Sequence, residues 1–461
     1  MKFLLKYFFH LFFLSSVIIL IFVIYRSEIQ FEGLKRDYYQ VLYYQLFIFS
    51  LVSIVGIFLP KIFKLYAMIT ITSLIITLYL FEFFLTNYGN LSKREIKERI
   101  TKFKELTGED FDTRTKIEIF EELNAKNRNY KTNIIWPTFF KSNSKYKDIN
   151  KNKIENFYPL SGFSNSKIIH CNENGYYSIY LSDRYGFNNP DYEWNKKDID
   201  FLLVGDSFIH GACVNRPHDI ASVLRTLSGK SVINLGQDST GPLQSFARLR
   251  EYLQPNVKNI LWFHSETNDF QDLSREIEVG VLKKYVEDKN FNQNLINKQN
   301  TVNNISQEFL DLVFKIEKKN QIKNTSNFDV LNFVKLFKVR MFLYNIFFHN
   351  DINITPSRNT KETFINIIKQ TKELAKKNGS NLYFIHLPDA HRYKKRNMYE
   401  HTDKIIVETL NMLNVEYINL NNDLFQKEKN PLDFFSFGQM NIHYNKKGYK
   451  KVAERINSIL N

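Results

Sequence analysis

The 461-residue sequence has only two cysteines, Cys171 and Cys213, and it lacks the common metal-binding and nucleotide-binding patterns. Neither a close Cys/His spacing nor HExxH occurs, so we predict no metal site. The segment GDSFIHG, at positions 205–211, offers no glycine run that would cradle a phosphate. A nucleotide or flavin module is therefore the least favoured interpretation, and we predict no cofactor. No helix-turn-helix or aromatic-basic sheet motif indicates nucleic acid as a partner.

Charged side chains are scarce in the first 88 residues, which contain three long apolar stretches: Phe8 to Tyr25, Tyr38 to Pro60, and Leu65 to Phe81. Each stretch is about long enough to cross a hydrocarbon layer of ~30 Å. Lys2 and Lys6 would suit a signal peptide, but no small-residue cleavage site follows the first stretch. We therefore predict a membrane anchor over residues 1–91 that retains three transmembrane helices. A buried helical hairpin in a soluble protein is the alternative.

A connecting region, residues 92–195, follows the predicted anchor. The segment KIEIFEELNAK within it has helix-like spacing of its apolar residues. Its last part has short strand-like runs such as KIIHC and YYSIYLS, separated by the turn sequences NENG and NNPD. We predict that this region contains a helix and a small β element.

From residue 198 onward, short apolar runs alternate with helical patterns. The runs are IDFLLVG, SVINLG, KNILWFH, NLYFIHLP and VEYINL. Near-continuous apolar strands that alternate with helices indicate an α/β fold with a parallel sheet covered on both faces. We assign this domain to residues 196–461. A largely helical insertion at about 270–360 interrupts the alternation, and we expect it to form a lid or a partner surface.

Polar residues follow two of the predicted strands. Ser207 lies just beyond the first strand, and Asn268 lies beyond the third. A parallel sheet places reactive groups at the carboxyl ends of its strands, and a serine ahead of a helix lies near free backbone N–H groups. Ser207 is thus a candidate nucleophile, although Asp206 or Ser207 in an ordinary turn would merely cap the helix. His210 is expected to pack at the start of that helix, with a substrate contact as the alternative.

Three further blocks follow this serine in order: VINLGQDSTGPLQ, HSETNDFQDL and MNIHYNKKGYKKVAERI. Together the four blocks resemble the SGNH, or GDSL-like, hydrolase family over roughly residues 196–461. The sequence resembles in particular the membrane-attached members found beside surface-polysaccharide genes. The resemblance implies a three-layer flavodoxin-like parallel sheet. It also implies that Ser207 is the nucleophile, Asn268 an oxyanion-hole donor and His443 the general base.

The sequence departs from the family pattern at two positions that matter for catalysis. The glycine of the second block falls on Ser239, so the expected backbone donor to the oxyanion is either Ser239 or Gly241. The family's acid, three residues before the histidine, falls on Met440. We therefore expect a local backbone carbonyl to hold Nδ1 of His443, with Asp433 as the competing partner.

These features predict a serine esterase of SGNH type that removes an O-acyl group from a glycan or another ester. One alternative is an O-acyltransferase for a surface polysaccharide that uses the same serine. Another is a non-catalytic glycan-binding or assembly protein, which the methionine at the acid position makes credible. The expected partners are the acylated substrate and the lipid bilayer. The sequence leaves the oligomeric state open.

Two signals bear on the location of the hydrolase-like domain, and they disagree. Basic residues after the third apolar stretch favour the cytoplasm by the positive-inside rule, which is weak for a large domain. The net charge of +15 fits a lysine-rich surface or, alternatively, attraction to anionic lipid or acidic glycan. The family resemblance favours the bacterial inner membrane with an extracytoplasmic domain. A disulfide between Cys171 and Cys213 would agree with that side, and two separate buried thiols are the alternative.

Overall fold

The computed structural model of the chain describes residues 2–30, 36–87, 91–126, 129–137, 156–324, 330–348, 355–394, 399–436 and 443–460. The chain forms two compact units. The first comprises residues 1–90 and 328–350, and the second comprises residues 91–327 and 351–461.

The α-helices, numbered in chain order, are α1 (Lys2–Ile24), α2 (Arg36–Phe58), α3 (Lys61–Asn87), α4 (Leu91–Thr107), α5 (Lys116–Lys126), α6 (Ser207–His210), α7 (Ile220–Ser228), α8 (Pro242–Tyr252), α9 (Asp269–Glu276), α10 (Gly280–Glu287), α11 (Gln299–Asn324), α12 (Val330–Val334), α13 (Phe337–Phe348), α14 (Arg358–Asn378), α15 (Glu400–Leu413), α16 (Leu420–Asp423) and α17 (Lys446–Leu460). The strands are β1 (Tyr130–Thr132), β2 (Lys167–Ile169), β3 (Ile179–Leu181), β4 (Ile199–Val204), β5 (Val232–Asn234), β6 (Val257–Ser265), β7 (Asn381–Leu387) and β8 (Glu416–Asn419).

Two helical segments of the first unit are long and apolar enough to cross a membrane. They are Lys6–Gln30, of 25 residues, and Lys61–Thr86, of 26 residues. A shorter apolar segment, Leu42–Phe58, lies between them in the chain. Only 17% and 6% of the two long apolar windows are buried within the unit. Length and composition therefore support two of the three predicted membrane helices.

Residues from the middle of the chain complete the first unit, where α12 and α13 pack on α3. The buried carboxylate of Glu82 accepts hydrogen bonds from the backbone N–H groups of Lys338 and Val339, at 3.0 and 2.8 Å. These groups belong to the first turn of α13, so the carboxylate satisfies donors that a helix start leaves without partners. The Tyr79 hydroxyl donates to the Val334 carbonyl at 2.9 Å. Polar contacts thus attach part of the expected lid or partner surface to α3.

The second unit is built on a five-stranded sheet of order β5-β4-β6-β7-β8, and every neighbouring pair is parallel. Side chains of β4 alternate between two hydrophobic cores. Leu202 and Val204 pack with apolar residues of α8, α14 and α15, whereas Phe201 and Leu203 pack with those of α7 and α17. Helices therefore cover both faces, and the predicted α/β fold with a parallel sheet is confirmed.

A smaller sheet of β1, β2 and β3 belongs to the same unit. β1 and β2 pair in parallel, and β2 pairs with β3 in antiparallel register. The runs KIIHC and YYSIYLS supply β2 and β3, as the sequence predicts. The loop that joins these two strands, residues 170–178, contains the turn sequence NENG and contributes a residue to the candidate site.

Candidate active site

Ser207 lies at the point of a tight turn between β4 and α6. A Cβ atom at Gly205 would lie 2.7 Å from Cγ1 of Ile209, so this turn leaves no room for a larger residue without a shift of its neighbour. The Asp206 carboxylate accepts a hydrogen bond from the Phe208 N–H at 3.0 Å and so caps the short helix. Asp206 therefore caps the helix, and the same turn presents Ser207.

His443 faces this serine from the segment just ahead of α17. Its Nε2 atom lies 2.8 Å from Oγ of Ser207, which is within hydrogen-bond reach. The imidazole packs against the Phe208 ring, with 5.2 Å between ring centroids. The structure thus brings together the predicted nucleophile and the predicted base, 236 residues apart in the chain.

The Glu173 carboxylate contacts the other ring nitrogen of His443. Its Oε1 atom lies 2.9 Å from Nδ1 of His443. Burial lowers the pKa of His443, but the charge and hydrogen bond of Glu173 outweigh burial and raise this pKa to about 9. Burial acts to raise the pKa of Glu173, yet the charge of His443 holds that pKa below its usual value. The two side chains therefore form an ion pair in the neutral pH range.

The prediction for the partner of His443 Nδ1 is wrong. Neither a backbone carbonyl nor Asp433 holds this atom, because the loop between β2 and β3 brings in the Glu173 carboxylate instead. Asp433 accepts a hydrogen bond from Nδ2 of Asn430 at 2.8 Å. Met440, where the family's acid would fall, lies outside the described residues.

A disulfide between Cys171 and Cys213 attaches the Glu173 loop to the segment that follows α6. Cys171 precedes the glutamate by two residues, and Cys213 follows the nucleophile by six. Asn174 reinforces the attachment, because its amide donates to the Cys213 carbonyl at 2.8 Å and accepts from Ser436 Oγ at 2.9 Å. Of the two alternatives for the cysteines, the structure has the disulfide. Its position supplies a sequence signal that could have identified Glu173.

The candidate oxyanion-hole residues follow three adjacent strands. Ser207 follows β4, Ser239 follows β5 and Asn268 follows β6, so all three lie beyond the same edge of the sheet. Ser239 has a φ of +55°, in the left-handed region where glycine is favoured. This backbone conformation agrees with the family's use of glycine at the corresponding position.

Gly241 and Asn268 differ in whether an N–H hydrogen remains for an oxyanion. The Gly241 N–H already donates to Oε1 of Glu276 at 2.6 Å, which leaves Ser239 as the expected backbone donor. The Asn268 amide donates to Oδ2 of Asp272 at 2.5 Å. An amide nitrogen carries two hydrogens, so this contact orients the Asn268 side chain and leaves its second hydrogen for an oxyanion.

Glu266, where the family commonly has glycine, belongs to a separate buried network. Its carboxylate accepts hydrogen bonds from His386 Nε2 at 2.5 Å, from the Asp389 N–H at 3.0 Å and from Arg392 Nε at 2.7 Å. His386 is therefore a hydrogen-bonded structural histidine.

Among the described residues, three groups bring potential metal-ligand atoms within 4.8 Å of one another: His170, His210 and Asp238; Glu173, Cys213 and His443; and Glu266, His386 and Asp403. Hydrogen bonds engage histidine and carboxylate atoms in each group, and the Cys213 sulfur is part of the disulfide. These atoms already have partners in the protein, and the absence of a metal stays a prediction.

Comparison with known proteins finds a distant likeness in structure. No protein-family model matches the chain, and no curated protein matches it. A solved structure described as a lipolytic protein of the G-D-S-L family, from Desulfitobacterium hafniense DCB-2, matches 57% of this chain and 99% of its own. The two chains are 15% identical, with a TM-score of 0.31. A second solved structure matches 57% of this chain and 95% of its own, at 11% identity and a TM-score of 0.29.

Proposed function

We propose that the protein is a serine hydrolase acting on esters, with Ser207, His443 and Glu173 as its catalytic triad. The observation that carries the proposal is the continuous pair of contacts, 2.8 Å from Ser207 Oγ to His443 Nε2 and 2.9 Å from His443 Nδ1 to Glu173. A serine hydroxyl is a weak nucleophile until a base within reach accepts its proton, and a carboxylate holds that base in the required tautomer. The four SGNH-like sequence blocks support the same assignment.

In the first half of the reaction, Ser207 Oγ attacks the ester carbonyl carbon while His443 takes the hydroxyl proton. The tetrahedral intermediate collapses, and His443 returns the proton to the departing alcohol, which leaves an acyl group on the serine. A water molecule then attacks the acyl carbon while His443 takes its proton. The bond from the acyl carbon to Ser207 Oγ breaks, His443 returns the proton to Oγ, and the carboxylic acid leaves. Glu173 stabilises the imidazolium in both halves, and N–H groups of Ser207, Ser239 and Asn268 stabilise the oxyanion.

The methionine at the family's acid position made a non-catalytic glycan-binding protein credible from the sequence. Glu173 removes that reason, because a carboxylate holds His443 from another loop. We propose an O-acyl group on a glycan as the substrate, on the strength of the sequence resemblance. Hydrolysis and transfer to a sugar hydroxyl share the acyl-enzyme, so the acceptor in the second step separates them.

Labelling with a fluorophosphonate probe tests the triad. The wild-type chain is expected to form a covalent adduct and to hydrolyse an activated ester. Ser207→Ala should lose both activities and keep its thermal stability. The matched control is Ser228→Ala, which removes the hydroxyl of a serine at the end of α7 that donates to the Leu224 carbonyl. A Ser207→Ala variant with full ester hydrolysis would contradict the proposed function.

The acyl acceptor is tested by incubating the enzyme with an O-acylated glycan, with and without a non-acylated acceptor glycan. An esterase releases the free acid in both mixtures, whereas an acyltransferase moves the acyl group to the acceptor. Mass spectrometry of the acceptor distinguishes the products. Release without transfer supports the esterase, and transfer that depends on Ser207 supports the acyltransferase.

We also propose that the chain is an inner-membrane protein with an extracytoplasmic hydrolase domain. The exposed apolar helices of the first unit support attachment to a bilayer, and the disulfide supports an oxidising compartment. A cysteine introduced by Ser274→Cys, an exposed position on α9, would test the orientation. A membrane-impermeant maleimide should label it in cells whose inner membrane is intact. Labelling only after that membrane is broken would place the domain in the cytoplasm.

A further inference from the structure

A polar cluster centred on the Asp238 carboxylate lies beside the proposed triad. Oδ2 accepts hydrogen bonds from His170 Nε2 at 2.6 Å and from Asn133 Nδ2 at 2.7 Å. Oδ1 pairs with His210 Nδ1 at 2.9 Å, and His210 Nε2 lies 2.8 Å from the Tyr180 hydroxyl. The two imidazoles are fully buried, at 1% and 0% exposed. All three strands of the small sheet contribute, since Asn133 and His170 follow β1 and β2, and Tyr180 belongs to β3.

Hydrogen-bond donors surround the Asp238 carboxylate. Burial lowers the pKa of His170 to about 4, so its imidazole is neutral at pH 7 and donates through Nε2–H. Burial also raises the pKa of the Tyr180 hydroxyl, which keeps its proton. His210 lies between this hydroxyl and Asp238, to which it donates through Nδ1–H. One carboxylate thus receives three donors, each from a different segment of the chain.

Two of these segments, and the loop of Asp238 itself, carry proposed catalytic groups. His210 ends α6, which the nucleophile begins. His170 lies next to the disulfide and three residues before Glu173. Asp238 itself is followed directly by Ser239, the expected backbone donor to the oxyanion. A single side chain therefore links the nucleophile helix, the acid loop and the oxyanion loop.

The backbone of the oxyanion loop supplies an independent reason for such a link. Ser239 has a φ of +55°, a conformation that costs free energy for a residue with a Cβ atom. Such a conformation persists when surrounding contacts hold it. The Asp238 carboxylate, held on both oxygens, is positioned to supply those contacts one residue earlier.

We propose that Asp238 is a positioning residue that, through His170 and His210, aims the Ser239 N–H at the oxyanion. This inference rests on the proposed hydrolase function. Asp238 hydrogen-bonds to neither the nucleophile nor the base, although its charge contributes to the raised pKa of His443. Its positioning effect acts through the direction of a backbone donor, and kcat at a pH above that pKa reports this effect. The loss is therefore expected in transition-state stabilisation and not in substrate binding.

The test uses Asp238→Ala and Asp238→Asn in the full-length chain, with active sites counted by fluorophosphonate titration. Per titrated site, Asp238→Ala should lower kcat about 100- to 1,000-fold, as expected for the loss of one oxyanion donor, while KM stays within about twofold. The affinity for a trifluoromethyl ketone, which forms an oxyanion adduct with serine, should fall by the same factor. Asp238→Asn should lose less, because neutral histidines exchange tautomers and keep part of the hydrogen bonding.

The matched control is Asp183→Asn, which alters another buried carboxylate of the same unit. Asp183 accepts hydrogen bonds from Trp194, Asn189 and two backbone N–H groups. The Asp183→Asn substitution should lower the melting temperature and leave kcat per titrated site unchanged.

Wild-type kcat per titrated site in both Asp238 variants would overturn the inference, as would an equal loss of kcat in the control. If Asp238→Ala does not fold, the isosteric Asp238→Asn decides by the same criteria. A wild-type chain that the probe does not label at Ser207 would overturn the proposed function itself. Labelled wild-type protein with unaffected Asp238 variants would overturn this inference alone.

Discussion

Replacing Glu173 by glutamine would separate two effects that this carboxylate has on His443. The carboxylate stabilises the imidazolium during the reaction, which accelerates catalysis. It also raises the pKa of the free enzyme's histidine to about 9, so that the resting base is mostly protonated at neutral pH. Glu173→Gln keeps the size of the side chain and removes the charge. The cost of the substitution should therefore depend on pH.

The size of each effect follows from the pKa values. At pH 7 a histidine with a pKa of about 9 is neutral in about 1% of molecules. Without the Glu173 carboxylate, we expect burial to outweigh the remaining charge of Asp238, so that the pKa of His443 falls and most molecules are neutral at pH 7. Loss of a triad acid lowers kcat about 10⁴-fold. The gain of about 100-fold in neutral base offsets part of this loss, so the variant should be about 100-fold slower at pH 7 and about 10⁴-fold slower at pH 10.

The assay is the dependence of kcat/KM on pH for an activated ester, since this parameter reports the pKa of the free enzyme. Ser207→Ala supplies the blank for uncatalysed hydrolysis. Asp433→Asn is the matched control, and it should leave the rate and the profile unchanged because its carboxylate pairs with Asn430. In Glu173→Gln the acidic limb should move from about 9 to below about 6.5. A rate ratio that is equal at pH 7 and pH 10, or a limb that does not move, would refute the reasoning.

Three further variants test the surroundings of the proposed triad. Replacing Cys171 and Cys213 by serine removes a bridge between residues 42 positions apart in the chain. We expect the free energy of unfolding, measured with urea, to fall by about 4 kcal/mol, and kcat to fall about 100-fold because the acid loop is displaced. An unchanged kcat would show that the bridge does not position the acid. Asn268→Ala should lower kcat about 100- to 1,000-fold at unchanged KM, and a change in KM alone would count against an oxyanion role. Gly205→Ala places a Cβ atom 2.7 Å from Cγ1 of Ile209 and should lower the free energy of unfolding by about 1–3 kcal/mol. An unaltered melting temperature would contradict this expectation.

Much of the sheet could be predicted because its determinants are local. The runs IDFLLVG and KNILWFH are apolar along their length, as strands covered on both faces must be, and they form β4 and β6. The turn chemistry of GDSF places Ser207 where β4 ends. Ser207 and Asn268 follow adjacent parallel strands, so their shared edge follows once the strands are assigned in parallel.

The acid could not be predicted in the same way. Glu173 lies 270 residues from His443, in a short loop with no periodic pattern of its own. The sequence contains 48 aspartates and glutamates, and a carboxylate is chemically suitable wherever it comes from. The family's spacing falls on Met440, so the sequence predicted a local backbone carbonyl, with Asp433 as the competing partner, and both lie close to His443 in the chain. The cysteine pair pointed to the correct loop, since a bridge to Cys213 brings the residues after Cys171 toward the nucleophile.

The sequence by itself determined the apolar helices, the order of strands and helices, and the turn that presents Ser207. These properties depend on side chains within a few residues of one another, whose periodicity and turn preferences are readable along the chain. Tertiary structure alone decided that the Glu173 carboxylate meets His443, that Asp238 links three segments of the proposed site and that α13 packs on α3. Each of these contacts joins residues distant in sequence, and packing of the small sheet, the disulfide and the apolar helices selects them from many chemically equivalent side chains.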